Sequence, residues 1–284
     1  MMKYNKERPL RVATLCSGYD SQCIAFERLK KNFPEFDYDL VFWSEFDPES
    51  KQQLEKQPAV IAHNAIFPQW ADRNLGDMTL IDWENVPDFD LVFGSTPCQS
   101  ISQAGLQHGF VKDSGTRSSI IWNMHDCIRI KRPKYIVMEN VAAILSGKFL
   151  PLLLLWCEEV EKMGYVNFMP PEFETPWNGG GTRNGTLNSK NYGVPQNRER
   201  WFMVSILRTE DEPDPKYYFP EPFPLDKRLK DVLEDKVDEK YYINDKLLDK
   251  IMSENAEVDD DDEQSSYDDA MSYCGSLFDD EDYE

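Results

Sequence analysis

The residue best suited to do chemistry is Cys98, which follows a short apolar run and a proline in the segment Asp90–Gln99. A strand that stops at Pro97 and then presents a thiol is good geometry for a nucleophile, because the thiolate is the reactive form of cysteine. The thiol would lie at the carboxyl edge of a sheet, where open α/β folds bind their ligands.

Three acidic residues occupy similar positions near the ends of apolar runs. Glu45 ends one run, Asp77 lies in the turn Gly76–Thr79, and Glu139 ends another run, just before Asn140. Glu45 stands where nucleotide-binding folds place the acid that binds ribose hydroxyls, and a partly desolvated Glu139 could exchange a proton with a ligand ring nitrogen. Each acid, taken alone, is equally compatible with an ordinary strand end, turn or helix cap.

Two further features belong to the same edge. Gly18, after the first apolar run, would let a ligand approach the backbone closely. Arg198 and Arg200 are two residues apart, so an extended segment would point both to one face, where they could hold a carbonyl oxygen or a phosphate. An exposed basic strand end explains the arginines equally well.

Apolar runs alternate with helical segments along the chain, which predicts an α/β fold with a mostly parallel sheet and helices on both faces. The expected strands are Arg11–Cys16, Asp39–Glu45, Phe89–Gly94, Lys134–Glu139 and Trp201–Leu207, and the expected helices are Ser21–Lys31, Pro48–Gln57, Ser118–Arg129 and Pro151–Met163.

Composition divides the chain of 284 residues into three parts. We expect a catalytic domain over 1–208, a linker with one or two short helices over 209–252, and an acidic disordered tail over 253–284. Fourteen acidic residues and no Lys or Arg lie from Glu254 to Glu284, so most of the net charge of −21 is in this segment. The remaining body can therefore still carry a local basic cleft.

The cysteine pattern and the N-terminus suggest the compartment. Six cysteines without a CxxC pair, together with three histidines, argue against a structural zinc site. No apolar signal core follows the first methionine, and Phe149–Cys157 is too short to span a bilayer. We expect a cytoplasmic protein, in a bacterium or a phage-infected host, with no membrane partner and no metal.

The order of the motifs is more specific than any one of them. Leu15–Gly18, Glu45, Gly76–Met78, Pro97-Cys98-Gln99, Glu139-Asn140-Val141 and Gln196–Arg200 follow one another in the chain. In this order they resemble the motifs of the cytosine-C5 DNA methyltransferases over about residues 10–207. The resemblance implies a Rossmann-like class I methyltransferase fold and S-adenosylmethionine as the methyl donor.

The resemblance also implies a role for each motif. The turn Leu15, Cys16, Ser17 and Gly18 would cradle the methionine part of the cofactor, Glu45 would bind its ribose, and Asp77 its adenine amine. Pro97 and Ile120 would complete the pocket wall. Cys98 would attack C6 of a cytosine flipped out of double-stranded DNA, with Glu139 on N3 and N4, Arg200 on O2, and Arg198 lowering the pKa of the thiol.

The chain departs from the family pattern in two places. In the glycine-rich turn, Cys16 replaces an aromatic residue and Asp20 replaces the second glycine. After Leu207 we find no counterpart of the usual target-recognition domain or of the final motifs. Three explanations stay open: a partner chain completes the enzyme, the chain is a truncated or degenerate form, or Trp177–Thr186 and Leu229–Ile251 form a minimal recognition element.

Two other functions fit the same residues. Relatives that methylate cytosine in tRNA share the Pro-Cys-Gln and Glu-Asn-Val motifs. A binding protein without catalysis is the other alternative, since the acidic segment could mimic a phosphate backbone and block a basic groove.

Overall fold

The computed structural model describes residues 3–96, 120–171 and 185–255, the last five of them as backbone only. Its contacts divide the chain into two compact units, Met1–Asp226 and Lys227–Glu284. Each unit is described by itself.

The first unit contains a seven-stranded sheet over its described residues. Its strands are β1 (Leu10–Leu15), β2 (Tyr38–Ser44), β3 (Leu91–Gly94), β4 (Tyr135–Val141), β5 (Tyr165–Phe168), β6 (Leu187–Asn188) and β7 (Glu199–Leu207).

The strand order is β2-β1-β3-β4-β7-β5, with β6 paired to the start of β7. The first four strands pair in parallel, whereas β7 is antiparallel to β4, β5 and β6. A single described strand therefore runs against the others, and the carboxyl ends of β1 to β4 share one edge. The predicted α/β class with a mostly parallel sheet is confirmed.

Four helices belong to this unit in its described part: α1 (Ser21–Asn32), α2 (Pro58–Ile66), α3 (Ile121–Lys131) and α4 (Leu150–Lys162). Residues of α1 and α2 pack with Val12 of β1 in one hydrophobic cluster. Residues of α3 and α4 pack with Ala13 of β1 in a second cluster. Since successive strand residues point to opposite faces, the two clusters lie on the two faces of the sheet.

One predicted helix is wrong. Pro48–Gln57 was expected to be helical, but only the short 3₁₀ turn Leu54–Lys56 falls within that range, and the helix begins at Pro58. The side chain of Gln57, which is buried, accepts from the backbone N–H of Asp47 at 2.9 Å and donates to the Asp47 carbonyl at 3.1 Å. These bonds satisfy the backbone of Asp47 in a loop, and Pro58 takes the first helical position, where no N–H is needed.

Two short strands beside β7, β5 and β6, are not predicted from the sequence. The second unit contains the 3₁₀ turns Leu229–Asp231 and Glu239–Tyr241, followed by α5 (Asp245–Asn255). Among the described residues, no helix is long and apolar enough to cross a membrane.

Candidate functional site

A cleft of about 890 Å³ opens at the edge where β1, β2, β3 and β4 end. Eight of the predicted site residues line it: Cys16, Gly18, Glu45, Asp77, Ile120, Glu139, Arg198 and Arg200. The volume lies within the range that accommodates a cofactor-sized molecule.

The first wall of the cleft is the turn after β1. Gly18 has a φ of +58°, and a Cβ placed on it would meet no atom within 4 Å. Its backbone N–H donates to Oε2 of Glu45 at 2.7 Å. The Glu45 carboxylate is therefore held against the turn, and the open space over Gly18 allows a ligand to reach the backbone.

Cys16, at the start of the same turn, also has a left-handed backbone, with a φ of +51°. Its Sγ lies 3.4 Å from Sδ of Met78, which follows Asp77. The two sulfur atoms bring the turn and the Asp77 loop into contact at the cleft.

The second wall depends on Asn74, which the sequence analysis missed. Its Oδ1 accepts from the backbone N–H of Glu45 at 3.1 Å and from that of Gly76 at 2.9 Å, while its Nδ2 donates to the Glu45 carbonyl at 3.2 Å. Ser44 adds a bond from Oγ to the Gly76 carbonyl at 2.6 Å. One amide thus holds the end of β2 beside the loop of Asp77, and only the approach of two chain segments reveals it.

Asp77 itself closes a tight turn. Its Oδ1 accepts from the backbone N–H of Thr79 at 2.9 Å and from the Thr79 hydroxyl at 2.8 Å. An aspartate that caps its own turn has a fixed orientation, which suits a hydrogen-bond acceptor for a ligand.

The third wall contains a carboxyl facing two guanidinium groups. Glu139 on β4 lies opposite Phe202 on β7, so Arg200 and Arg198 share its face of the sheet. Nε of Arg200 is 2.9 Å from Oε1 of Glu139, and Nη2 of Arg198 is 3.9 Å from the same atom. The predicted common face of the two arginines is present.

Two opposing effects set the protonation of Glu139. Burial raises the pKa of this carboxyl above its ordinary value, and the charges of Arg200 and Arg198 lower it by less. A carboxyl held in this way is more easily protonated than one in water, so it can donate as well as accept a proton.

The neighbouring residue Asn140 faces the opposite side of β4 and is buried. Its Nδ2 donates to the carbonyl of Thr96 at 3.3 Å and approaches the Thr96 hydroxyl at 3.4 Å. Thr96 is the last described residue before Pro97 and Cys98. Asn140 therefore anchors the chain where it enters the predicted nucleophile segment.

The remaining predicted site residues are placed differently. Leu15 and Ser17 are buried beside the turn and do not line the cleft. Pro97 and Cys98 lie outside the described residues, as do most of Trp177–Thr186 and the whole of 256–284. Among the residues that are described, no three His, Cys, Asp or Glu side chains group as a metal site would require.

Comparison with known proteins identifies the family. The model of the C-5 cytosine-specific DNA methylases matches residues 10–274. The type II methyltransferase M2.ScrFI of Lactococcus lactis subsp. cremoris is 38% identical over 172 residues, which cover 61% of this chain and 42% of that protein. The orphan methyltransferase M.SPRI of Bacillus phage SPR is 31% identical over 271 residues, covering 86% of this chain and 54% of that protein.

Solved structures agree on the fold. A mutant of DNMT2 from Spodoptera frugiperda superimposes with a TM-score of 0.56 at 16% identity, over 86% of this chain and 65% of that one. The methyltransferase EhMeth of Entamoeba histolytica gives a TM-score of 0.56 at 16% identity, over 84% and 64% of the two chains. The predicted class I methyltransferase fold is confirmed.

The chain spans about half the length of the curated relatives named above. The family model nevertheless matches most of its residues, with the cleft inside the matched range. The chain therefore belongs to the C-5 cytosine-specific DNA methylase family.

Proposed function

We propose that this chain transfers a methyl group from S-adenosylmethionine to C5 of a cytosine in double-stranded DNA, through a covalent adduct of Cys98. The observation that carries the proposal is the pairing of Glu139 with Arg200 and Arg198 in a cleft that also contains Glu45 and Asp77. A pyrimidine site and a nucleoside site at one edge of a sheet are what this reaction needs.

The cofactor fits the donor set of the cleft. Glu45 and Asp77 supply carboxylates for ribose hydroxyls and an adenine amine, and the open space over Gly18 admits the methionine part. When bound, the cofactor supplies an electrophilic methyl group. The residues proposed to contact it are Cys16, Gly18, Glu45, Asp77, Pro97 and Ile120, and the buried residues Leu15 and Ser17 are proposed to support the turn.

C5 of cytosine is a poor nucleophile, and the proposed role of Cys98 is to activate it by adding to the ring. Its thiolate forms a bond to C6, and the electron pair displaced from the C5–C6 double bond makes C5 nucleophilic. After methylation, water takes the C5 proton, the electron pair of the C5–H bond re-forms the C5–C6 double bond, and the C6–S bond breaks to release the thiolate. Arg198 promotes the thiolate form through its positive charge.

Glu139 and Arg200 hold the ring during this sequence. A protonated Glu139 donates to N3 as negative charge develops on the ring, and its second oxygen accepts from the N4 amine. Arg200 donates to O2. The raised pKa of Glu139 supports this role, because a carboxyl that is easily protonated can act as the donor.

A trapping experiment tests the proposal. The chain is incubated with S-adenosylmethionine and duplex DNA containing 5-fluorocytosine, whose C5 fluorine cannot leave as a proton does. We expect a denaturation-resistant adduct with the wild type and none with Cys98→Ser. Adduct formation by Cys98→Ser, or adducts with tRNA and not with DNA, would contradict the proposal.

A second chain that supplies target recognition stays a prediction. Tritiated methyl transfer to DNA is measured with the chain alone and after addition of the products of neighbouring genes. Transfer that rises only with a partner would support a split enzyme, whereas equal transfer by the chain alone would exclude a need for one.

A further inference from the structure

Asp20 follows the cleft turn by two residues and has a backbone that few residues adopt. Its φ is +59°, a region that favours glycine and is tolerated by aspartate and asparagine. It stands at the N-terminus of α1, yet its side chain makes no capping hydrogen bond to the helix. The carboxylate of Asp20 is therefore not explained by capping.

The carboxylate points into the protein, where it meets a histidine from another helix. Oδ2 of Asp20 lies 3.2 Å from Nε2 of His63 on α2, and both side chains are fully buried. Thr14 on β1 donates its hydroxyl to the same oxygen at 3.1 Å. Among the described residues, Oδ1 of Asp20 has no hydrogen-bond partner, and the close approach of His63 Nε2 to Oδ2 is an ion-pair contact that is not aligned as a hydrogen bond.

A carboxylate in this position has an energetic cost. Burial raises the pKa of Asp20, and the contacts with His63 and Thr14 lower it without offsetting the burial. A buried acid whose hydrogen bonds are incomplete destabilises the fold. Its presence here therefore points to a role other than stability.

His63 is fixed as firmly as its partner. Its ring stacks on Trp43 of β2 with centroids 3.6 Å apart, and Nδ1 lies 3.2 Å from Oδ1 of Asn64. The indole N–H of Trp43 in turn donates to the Trp70 carbonyl at 2.9 Å. The contacts that hold the imidazole therefore come from β2 and α2, and not from the turn.

The pair connects the turn after β1 with α2, whose first residues also line the cleft. On one side, Asp20 donates its backbone N–H to the Ser17 carbonyl at 3.0 Å, inside the turn that contains Gly18. On the other side, α2 begins at Pro58, which lines the cleft together with Gln57. A link from Asp20 to His63 therefore fixes the spacing between the turn and the start of α2.

We propose that Asp20 and His63 are positioning residues for the cofactor, acting by holding the Cys16–Gly18 turn at a set distance from α2. The proposal rests on the proposed function only in naming the cofactor as the occupant of the cleft. Neither residue lines the cleft, so both act through the backbone they hold.

Two single variants and their combination separate positioning from stability. Asp20→Gly removes the carboxylate but suits the positive φ, and His63→Phe keeps the stacking on Trp43 but removes the ring nitrogens. Removing one partner of a buried pair costs more than removing both, so the double variant should recover part of the thermal midpoint lost in the single variants. Its affinity for the cofactor should not recover.

The binding measurement uses S-adenosylhomocysteine and isothermal titration calorimetry on the full chain. We expect at least a tenfold rise in Kd for each single variant and for the double variant. Tyr165→Phe is the matched control, because it removes the buried hydrogen bond from Tyr165 to the Pro133 carbonyl, at 2.7 Å, away from the cleft. The control should lower the thermal midpoint and leave Kd within about twofold.

Hydrogen–deuterium exchange of the ligand-free chains completes the test. We expect faster exchange over 14–24 and 54–64 in the three pair variants and wild-type rates there in Tyr165→Phe. If Kd follows the thermal midpoint across all four variants, or if exchange in the two segments is unchanged, the positioning role is wrong. If the wild type fails to bind S-adenosylhomocysteine but exchange changes as expected, the cofactor assignment fails and the link between the turn and α2 stands.

Discussion

At the scale of single residues, burial and the nearby positive charges shift the pKa of Glu139 in opposite directions. Its pKa is raised because the loss of solvent outweighs the attraction of Arg200 and Arg198. The folded state therefore holds this proton more tightly than the unfolded chain does. The ionised form lowers the free energy of unfolding at neutral pH, and this penalty disappears as the pH falls below the ordinary carboxyl value.

Glu139→Gln should separate stability from activity. A neutral amide of the same shape avoids the cost of the buried charge, so the free energy of unfolding at pH 8 should rise. The gain should vanish towards pH 4, where the wild-type carboxyl is protonated. Methyl transfer should fall by about 10²- to 10⁴-fold, because the amide cannot deliver a proton.

Urea denaturation at several pH values and an assay of tritiated methyl transfer measure the two effects. Lower stability of Glu139→Gln at pH 8, or equal stability differences at pH 8 and pH 4, would contradict the assigned pKa direction.

Asn140→Ala tests the anchor next to Cys98. The change leaves the buried carbonyl of Thr96 without its partner and should cost roughly 1–3 kcal/mol of stability. We also expect adduct formation with 5-fluorocytosine DNA to slow at least tenfold, because the entry to the nucleophile segment loses its support. Asn167→Ala is the control, since Asn167 makes comparable bonds to Ser205 and to the Cys157 carbonyl and does not line the cleft. An equal slowing in both variants would show that lost stability alone explains the effect.

Site residues could be predicted from the sequence where side-chain chemistry and the alternation of strand residues are enough to place them. The common face of Arg198 and Arg200 follows from their spacing. That Glu139 meets this face depends on the antiparallel pairing of β4 with β7, which the sequence does not reveal. Asn74, Gln57 and the pair of Asp20 with His63 were not predictable, because their partners come from distant segments. An asparagine or a histidine in a sequence carries no sign of the segment it will contact.

At the scale of secondary-structure elements, strand β3 approaches helix α3 very closely at Gly94. A Cβ on Gly94 would collide with the Sδ and Cε atoms of Met124. A side chain at this position would force the buried side chain of Met124 to move within the core.

Gly94→Ala should therefore lower the free energy of unfolding by roughly 1–3 kcal/mol, the usual cost of overpacking a core. Gly147→Ala is the matched control, because a Cβ there meets no atom within 4 Å and its φ is not positive. The control should be neutral or slightly stabilising, since alanine restricts the unfolded chain. Chemical denaturation of both variants decides the point, and equal effects of the two changes would argue against the close contact.

The elements themselves were predictable to different degrees. Strands β1 to β4 and helices α1 and α4 follow from apolar runs and their boundaries, and they lie within one or two residues of the expected ranges. The helix after β2 was misplaced because two prolines can each open a helix, and the buried amide of Gln57 decides between them.

The remaining differences between the predicted and the observed strands come from pairing between segments that are distant in the sequence. Strand β5 has four residues, three of them only partly buried, and it forms because β7 offers an edge. A register shift in β2 between Leu40 and Phe42 places these two residues in different hydrophobic clusters. The same shift puts Trp43 on the face where His63 stacks on it, which alternation in the sequence does not predict.

At the scale of the whole molecule, the core belongs to the first unit. The two hydrophobic clusters comprise residues up to Leu207 within the described ranges. The segment up to Asp226 still packs on this unit, through Tyr217 on Phe168 and Phe223 on Tyr192. The second unit leaves Leu229, Leu233, Tyr241 and other apolar side chains exposed.

A chain that ends at Asp226 should therefore fold by itself. We expect its thermal midpoint to lie within about 3 °C of that of the full chain, because no residue of either cluster is removed. Its affinity for S-adenosylhomocysteine should be unchanged. Loss of a cooperative transition in differential scanning calorimetry would show that residues after Asp226 are needed for the fold.

The charge of the whole chain opposes its proposed substrate. DNA carries a phosphate charge about every 1.7 Å of helix axis, and a protein with a net charge of −21 is repelled at long range. Most of that charge lies in Glu254–Glu284. Repulsion of this kind is screened over about 10 Å at 0.1 M salt and is strong only at low ionic strength.

Deletion of 254–284 should consequently tighten binding to duplex DNA in a salt-dependent way. We expect Kd to fall by roughly three- to ten-fold at 50 mM salt and by less than about twofold at 300 mM, where screening removes the long-range repulsion. Fluorescence anisotropy with a labelled duplex measures both values. As a control, neutral variants with the same length, in which asparagine and glutamine replace the acids, should behave like the deletion. Equal affinities of the full and shortened chains at 50 mM salt would show that the acidic segment does not influence DNA binding.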